Sequence, residues 1–142
     1  MEAFELNDPL VSYSSIDDKS VYGIINLIRN GIRFPVFENF VEHSPFTMPE
    51  WSSFLHLSER TMQRYKKENS SFDSLQSERI VEIRLLYNYG QQVFGNTEYF
   101  NKWLETDNLV LGRIKPKMLL DSSFGINLLK DELSRIENGV LS

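Results

Sequence analysis

A short basic segment carries side chains suited to reading the edges of DNA bases. Its cationic, amide and hydroxyl side chains recur at helical spacing within residues 58–67, in a chain whose net charge is −5. Arginine can donate two hydrogen bonds to guanine, and glutamine can bond adenine through two atoms. Serine, threonine and lysine suit the phosphate oxygens. The predicted DNA-contacting residues are Ser58, Arg60, Thr61, Gln63, Arg64 and Lys67.

Two short helices between residues 48 and 67 are predicted to hold this segment as a helix-turn-helix. Ser52 supplies a small residue where the two helices must cross, and Ser58 is placed to cap the second helix. Glycine is typical of the turn between such helices, but His56 stands there. The apolar positions that would lock the helices together are Trp51, Leu55, Leu57, Met62 and Tyr65.

The acidic surroundings of the basic segment weaken the attraction of a single copy to DNA. We therefore expect a homodimer, which doubles the basic surface and places two half-sites about 34 Å apart. The same segment allows a second interpretation, in which the basic face is only solvated and the chain is a structural interaction module.

No residue pattern typical of an enzyme active site accompanies this segment. The chain has no cysteine, and its two histidines, His43 and His56, have no zinc-binding spacing. Phosphate loops, nucleophile elbows and zinc-protease motifs are absent from the sequence. The acidic residues Asp131, Glu132 and Glu137 read as a solvated face. We expect no enzymatic activity, no catalytic residue, no metal and no cofactor.

The apolar spacing predicts an all-α protein of about eight helices, with at most a short edge strand near Val11 and Tyr13. Residues 1–17 form a predicted arm, and residues 69–73 a polar linker. The predicted helices run from Asp18 to about Asn30, through Phe34–Val41, from Thr47 to about His56, from Ser58 to about Glu68, through Ile80 to a stop at Gly95, across Tyr99–Leu104, through a short turn at Pro116–Leu120, and from Ser122 or Ser123 to a stop at Gly139. The predicted core of the second half comprises Phe94, Tyr99, Phe100, Trp103, Met118 and Leu120.

No apolar run is long enough to span a bilayer, and the first residues are acidic rather than basic. These features predict a cytoplasmic protein without a membrane partner.

From about residue 20 onwards the sequence resembles the Xre/MbcA/ParS-type antitoxins. The resemblance depends on landmarks that stand in the family's order rather than on one specific motif. Four departures affect loops and caps: His56 replaces the turn glycine, Asp107 a proline, Arg113 a second glycine and Ser122 a threonine. The landmarks are Leu57-Ser58-Glu59-Arg60-Thr61, Gln76-Ser77-Glu78-Arg79, Phe94-Gly95, Trp103-Leu104, Leu111-Gly112, Pro116, Leu119-Leu120, Gly125 and Arg135-Ile136-Glu137-Asn138-Gly139-Val140.

The resemblance implies the antitoxin of a type II toxin–antitoxin pair. Its expected partner is a RES-type toxin that depletes NAD⁺, and the antitoxin would obstruct the toxin's active site and repress its own operon. The implied organisation is an arm at residues 1–17, an Xre-like helix-turn-helix domain at residues 18–70 and a toxin-binding domain at residues 71–142.

The predicted toxin contacts are cationic side chains of the second half and the segment that follows the last helix. That segment is apolar and expected to be accessible to a partner. The predicted toxin-binding residues are Arg113, Lys115, Arg135, Gly139, Val140, Leu141 and Ser142. The alternative from another functional class is a stand-alone helix-turn-helix transcription regulator without a toxin partner.

Overall fold

The computed structural model describes residues 4–9 and 11–139, and helices account for most of that backbone. Within these ranges there is no sheet, and the only strand-like pairs are the isolated bridges Arg33–Ser71 and Asn108–Ile114. The predicted all-α fold is confirmed. The helices are α1 (Asp18–Asn30), α2 (Phe34–Glu42), α3 (Met48–Leu55), α4 (Glu59–Glu68), α5 (Ser74–Phe94), α6 (Thr97–Glu105) and α7 (Ser123–Glu137), with 3₁₀ turns at Tyr13–Ser15 and Pro116–Leu119.

Side-chain caps fix where these helices begin. Asp17 accepts a hydrogen bond from the Ser20 amide at 2.7 Å at the start of α1. Thr47 and Glu50 form a capping box at α3, in which each side chain accepts from the other residue's amide. Ser122, rather than Ser123, caps α7. Because each cap acts within one turn, these helix starts were predictable from the sequence.

Trp51 of α3 lies at the centre of an aromatic core. Its side chain is fully buried. Four phenylalanine rings contact it edge-on at centroid distances between 5.1 and 5.8 Å. Aromatic pairs in this geometry each add about 0.5–1.5 kcal/mol beyond the burial of their area. The four rings belong to Phe37, Phe40, Phe46 and Phe54. They join α2, α3 and the turn between them.

Helix α5 is the element around which the others pack, since α1, α3, α6 and α7 all contact it. Its buried apolar residues include Ile80, Ile83 and Leu86. Two polar side chains are buried with them. Arg84 lies over the Phe40 ring at 4.7 Å, and burial lowers the pKa of its guanidinium. Asn88 donates to the backbone carbonyl of Val11 at 2.6 Å.

The described residues form no edge strand near Val11 and Tyr13, which agrees with the prediction of at most a short strand. Tyr13 begins a 3₁₀ turn, and the Val11 carbonyl bonds the Asn88 side chain instead of a neighbouring strand. The arm is also packed against the core, because Leu6 is buried. Leu10, the residue before Val11 in the segment considered for this strand, lies outside the described residues.

The predicted polar linker at residues 69–73 is a packed connection. Phe72 is buried, and its amide donates to the Ile32 carbonyl at 2.8 Å. Gly31, whose φ is +88°, brings its backbone against the Phe72 carbonyl with no room for a side chain. Phe72 is a single apolar residue in a polar segment, so no periodic pattern indicated that it is buried.

Some predicted core and surface positions are wrong. Tyr99 and Met118 were predicted in the core but are 66 % and 60 % exposed. The nine-residue helix α6 buries only Phe100 and Leu104, and the single 3₁₀ turn that carries Met118 presents too narrow a buried side to enclose it. Glu132, predicted on a solvated face, is buried.

Gly90 of α5 leaves space for the ring of Phe100, and a Cβ at this position would overlap that ring. We predict that Gly90→Ala lowers the free energy of unfolding by about 2 kcal/mol through overpacking. Urea denaturation measures the loss. In a Phe100→Leu background the same substitution should cost less, because the overlapping atoms are gone. Equal losses in the two backgrounds would contradict this account.

Candidate functional site

Helices α3 and α4 meet at a tight turn centred on His56. His56 adopts the left-handed conformation (φ 56°, ψ 40°), which costs a residue with a side chain about 1–2 kcal/mol. The Leu57 amide donates to the Ser52 carbonyl at 3.0 Å and closes the end of α3. The imidazole Nε2 donates to the backbone carbonyl of Asp121 at 2.8 Å. His56, which stands where glycine was expected, therefore connects the turn to the segment before α7 through a hydrogen bond.

One face of α4 is buried and fixes the direction of the other. Met62 is fully buried, and the half-buried Tyr65 ring packs edge-on against Phe72 at 5.5 Å. Helical geometry turns the opposite face to solvent. That face carries Arg60, Arg64 and Lys67, with Gln63 at its edge, and all four are exposed.

The two hydroxyls of the predicted site sit at the start of α4. Ser58 Oγ accepts from the Thr61 amide at 3.0 Å and donates to Thr61 Oγ1 at 2.9 Å. Ser58 is therefore used as the helix cap. In the described part of the chain the Thr61 hydroxyl proton has no acceptor, so it can be donated to a phosphate oxygen.

The cations of α4 differ in availability. Lys66 forms an ion pair with Glu38 of α2 at 3.1 Å. Among the described residues, neither Arg60, Gln63 nor Lys67 has a side-chain hydrogen bond or ion-pair partner. The guanidinium of Arg64 lies 5.6 Å from the Tyr65 ring. The structure thus brings the predicted DNA-contacting residues onto one helix and leaves its charged groups accessible to a ligand.

Lys117 connects the helix-turn-helix to the second half of the chain. Its ammonium contacts Glu50 at the start of α3 at 2.5 Å and Glu105 at the end of α6 at 2.6 Å. Burial raises the pKa of Glu50, but hydrogen bonds from Lys117 and Thr47 outweigh it and leave that pKa below its ordinary value. Burial lowers the pKa of Lys117, and the two carboxylates reverse this to a raised value. Lys117 could not be recognised from the sequence, because its partners are 67 and 12 residues away.

The predicted toxin-binding residues lie in different surroundings. Arg113 is exposed, with φ at 64°, and Lys115 pairs weakly with Glu105 at 3.8 Å. Arg135 donates to the buried Glu132 carboxylate at 3.1 Å. Gly139 has φ at 70° just beyond α7, where its prediction as a helix stop placed it. No described contact joins Arg135 to the other two cations.

Val140, Leu141 and Ser142 lie outside the described residues, so their toxin contact stays a prediction. The pairing of Glu132 with Arg135 was missed although a signal existed, namely the i, i+3 spacing of opposite charges on one helix.

In the described part of the chain, no group of three or more histidine, aspartate or glutamate side chains could hold a metal ion. None of its helices is long and apolar enough to cross a membrane.

Comparison with protein families assigns both halves of the chain. The antitoxin Xre-like helix-turn-helix domain matches residues 23–84, and the antitoxin Xre/MbcA/ParS C-terminal toxin-binding domain matches residues 90–139. The chain belongs to the Xre/MbcA/ParS antitoxins. No curated protein matches it. This antitoxin therefore combines a helix-turn-helix for DNA with a domain for a toxin partner.

The two matched regions meet within α5. The first match ends at residue 84 and the second begins at residue 90. Helix α5 packs against α1 and α3 of the first region and against α6 and α7 of the second. The predicted division at residue 70 stays a prediction.

The Lys117 ion pairs predict a pH-dependent contribution to stability. We expect Lys117→Met to lower the free energy of unfolding by about 1–2 kcal/mol at pH 7, between the values typical of exposed and buried pairs. Because the pKa of Glu50 is lowered in the folded state, its contribution is present above the ordinary value of 4.5 and is lost as pH falls below it. Denaturation from pH 7 to 3 should show the wild type and variant converging below that value.

Lys115→Met is the matched control for this experiment. Lys115 is a neighbouring lysine with a half-exposed side chain and a long 3.8 Å ion pair, so its loss should change stability little. A wild-type advantage over Lys117→Met that stays constant down to pH 3 would contradict the assignment to the carboxylates.

Proposed function

We propose that this antitoxin neutralises a RES-type toxin that depletes NAD⁺, by obstructing its active site, and represses its own operon by binding operator DNA as a homodimer. The observation that carries the DNA-binding half is the accessible basic face of α4. The toxin-binding match and the resemblance of residues 135–140 to the family's Arg-Ile-x-x-Gly-Val sequence support the other half.

The DNA-binding half rests on the direction in which α4 presents its side chains. Recognition helices insert their N-terminal residues into the major groove. Arg60, Thr61 and Gln63 lie in the first turns of α4, while Lys67 lies near its end. We assign base contacts to Arg60, Gln63 and Arg64, and phosphate contacts to Thr61 and Lys67. Ser58, predicted as a DNA contact, donates its hydroxyl proton to Thr61 Oγ1 and would orient the Thr61 hydroxyl towards the phosphate.

Homodimerisation would compensate for the charge of the rest of the molecule. The net charge of −5 repels DNA, and one basic helix attracts it only weakly. Two copies on a two-fold operator double the phosphate contacts and so steepen the salt dependence of binding.

The toxin-binding half rests on the end of α7. Helix α7 is held against α5 through buried Leu129 and Leu133, and Tyr89 donates to Glu137 at 3.0 Å near the end of the helix. This contact fixes the end of α7, which directly precedes the segment predicted to enter the toxin's active site. A fixed attachment point lowers the entropy that is lost on binding.

A combined Arg60→Ala and Arg64→Ala variant should abolish operator binding without loss of toxin binding. Each arginine that contacts a base contributes about 1–3 kcal/mol of discrimination, so we expect the operator Kd to rise at least about 30-fold. Fluorescence anisotropy with labelled promoter DNA measures the change. Lys66→Ala is the control, since Lys66 is paired with Glu38. Normal operator binding by the double variant would show that the recognition helix is wrongly assigned.

NAD⁺ consumption by the purified product of the neighbouring gene tests neutralisation. Addition of a stoichiometric amount of the antitoxin should stop consumption. Unchanged consumption would overturn neutralisation, and a neighbour that consumes no NAD⁺ would overturn the assigned toxin chemistry.

Deletion of residues 139–142 should weaken inhibition in the same assay, because it removes the predicted blocking segment. The deletion lies beyond α7, so circular dichroism and operator binding should remain those of the full chain. Full inhibition by the truncated chain would show that this segment does not block the active site.

A further inference from the structure

The outer face of α7 carries an exposed stripe of side chains. Ile126, Leu129 and Leu133 are buried on the inner face. On the opposite side, residues that are spaced by four, three and four positions align along the helix. The residues of this outer stripe are Phe124, Leu128, Asp131 and Arg135, and all are exposed.

Phe124 is the most exposed large hydrophobic side chain among the described residues. Its exposed fraction is 91 %, and that of Leu128, one turn further along, is 43 %. No ring contact involves Phe124 in the described part of the chain. A single exposed apolar residue is ordinary, but two adjacent ones on a helix face suit the groove of a partner. Since Phe124 contributes little to the core, the fold does not explain its hydrophobicity.

We propose that the outer stripe of α7 binds the toxin, which receives Phe124 and Leu128 in an apolar groove and faces Arg135 with an acidic group. The proposal rests on the antitoxin function and adds the surface that would perform it. The whole stripe lies within the matched toxin-binding region at residues 90–139. From Phe124 to Arg135 it extends about 16 Å along the helix axis, towards the predicted contact segment that begins at Gly139.

The charges of the stripe favour a toxin over a second copy of this chain. In a parallel pairing of two copies, Asp131 would face Asp131 and Arg135 would face Arg135, which repels at both positions. An antiparallel pairing in which the two stripes overlap fully would place Asp131 opposite Leu128 and bury a carboxylate against an apolar side chain. An antiparallel pairing shifted so that Asp131 faces Arg135 would leave Phe124 beyond the second copy's α7, which ends at Glu137. A partner with its own sequence can match the apolar and charged halves separately.

The availability of Arg135 agrees with this assignment. Its guanidinium donates through Nη1 to the buried Glu132 carboxylate, while the side chain remains 48 % exposed. Glu132 therefore orients Arg135 and leaves part of the guanidinium for a partner. A guanidinium held in this way loses less rotamer entropy on binding than a free one.

Binding of the purified product of the neighbouring gene to full-length variants tests the proposal. We expect Phe124→Ala to raise the Kd about 30-fold or more, as for a buried aromatic anchor, and Leu128→Ala to raise it about tenfold. Isothermal titration calorimetry measures both affinities. Operator binding and circular dichroism should be unchanged, because neither side chain is part of the core.

Two matched controls separate the stripe from hydrophobic exposure in general. Tyr99→Ala removes an exposed aromatic side chain from α6 within the same matched region, and Leu75→Ala removes an exposed leucine from α5 outside it. Neither should change the Kd. A loss caused by Tyr99→Ala as large as that caused by Phe124→Ala would overturn the assignment to α7.

Sedimentation velocity of the same variants tests whether a second copy of this chain, rather than the toxin, covers the stripe. Unchanged toxin affinity together with a loss of self-association in Phe124→Ala would overturn the proposal and assign the stripe to a second copy. Unchanged values of both quantities would also overturn it. A wild-type chain that binds the neighbour's product without affecting NAD⁺ would overturn the proposed toxin chemistry alone, whereas absence of wild-type binding would overturn both.

Discussion

Helix α5 can be stable only if other helices cover it on several sides. Nearly half of its residues are buried, including Arg84 and Asn88, so no single neighbour could enclose it. Helices α1, α3, α6 and α7 provide the cover, and the N-terminal arm adds a backbone carbonyl for Asn88. Through this requirement the DNA-binding helix pair and the toxin-binding helices share one core. The middle of α5 is therefore common to the cores of both matched regions.

The cations of the molecule differ in whether a carboxylate within the fold pairs with them. Lys66 and Lys117 are neutralised by carboxylates within the fold, whereas Arg60 and Lys67 have no such partner in the described residues. An acidic protein can thus present a basic face on α4, because Arg60 and Lys67 stay outside the ion pairs of the described residues. Lys117 also places a positive charge beside the Glu50 carboxylate at the start of α3.

The contacts across the boundary of the two matched regions share one physical character. His56 with Asp121, Lys117 with Glu50, and Ser123 with Glu82 are all polar contacts between residues far apart in sequence. Such contacts have strict geometric requirements, so they define how the toxin-binding helices sit against the helix-turn-helix. Apolar packing around α5 stabilises the association of the two regions, and these polar contacts fix their relative position.

Most helix limits and caps and the basic face of α4 could be derived from the sequence. The start of α5 was not, because its cap Asp73 had been assigned to the polar linker at residues 69–73. Asp17, Thr47, Ser58 and Ser122 act on amides within three residues, and apolar spacing reports the buried face of a helix directly. The order of family landmarks also identified both functional regions. These signals are local or depend on linear order, so a sequence contains them in full.

The remaining features required the folded chain because they join distant residues or depend on how far a neighbour reaches. The burial of Phe72 and Glu132, the anchoring of His56 by Asp121, and the exposure of Tyr99 and Met118 have no periodic signature. Phe124 is the clearest case, since its residue type predicts burial and its place on α7 leaves it in solvent. A hydrophobic side chain favours contact with other apolar groups, but the packing of α7 on α5 determines which side of the helix is buried.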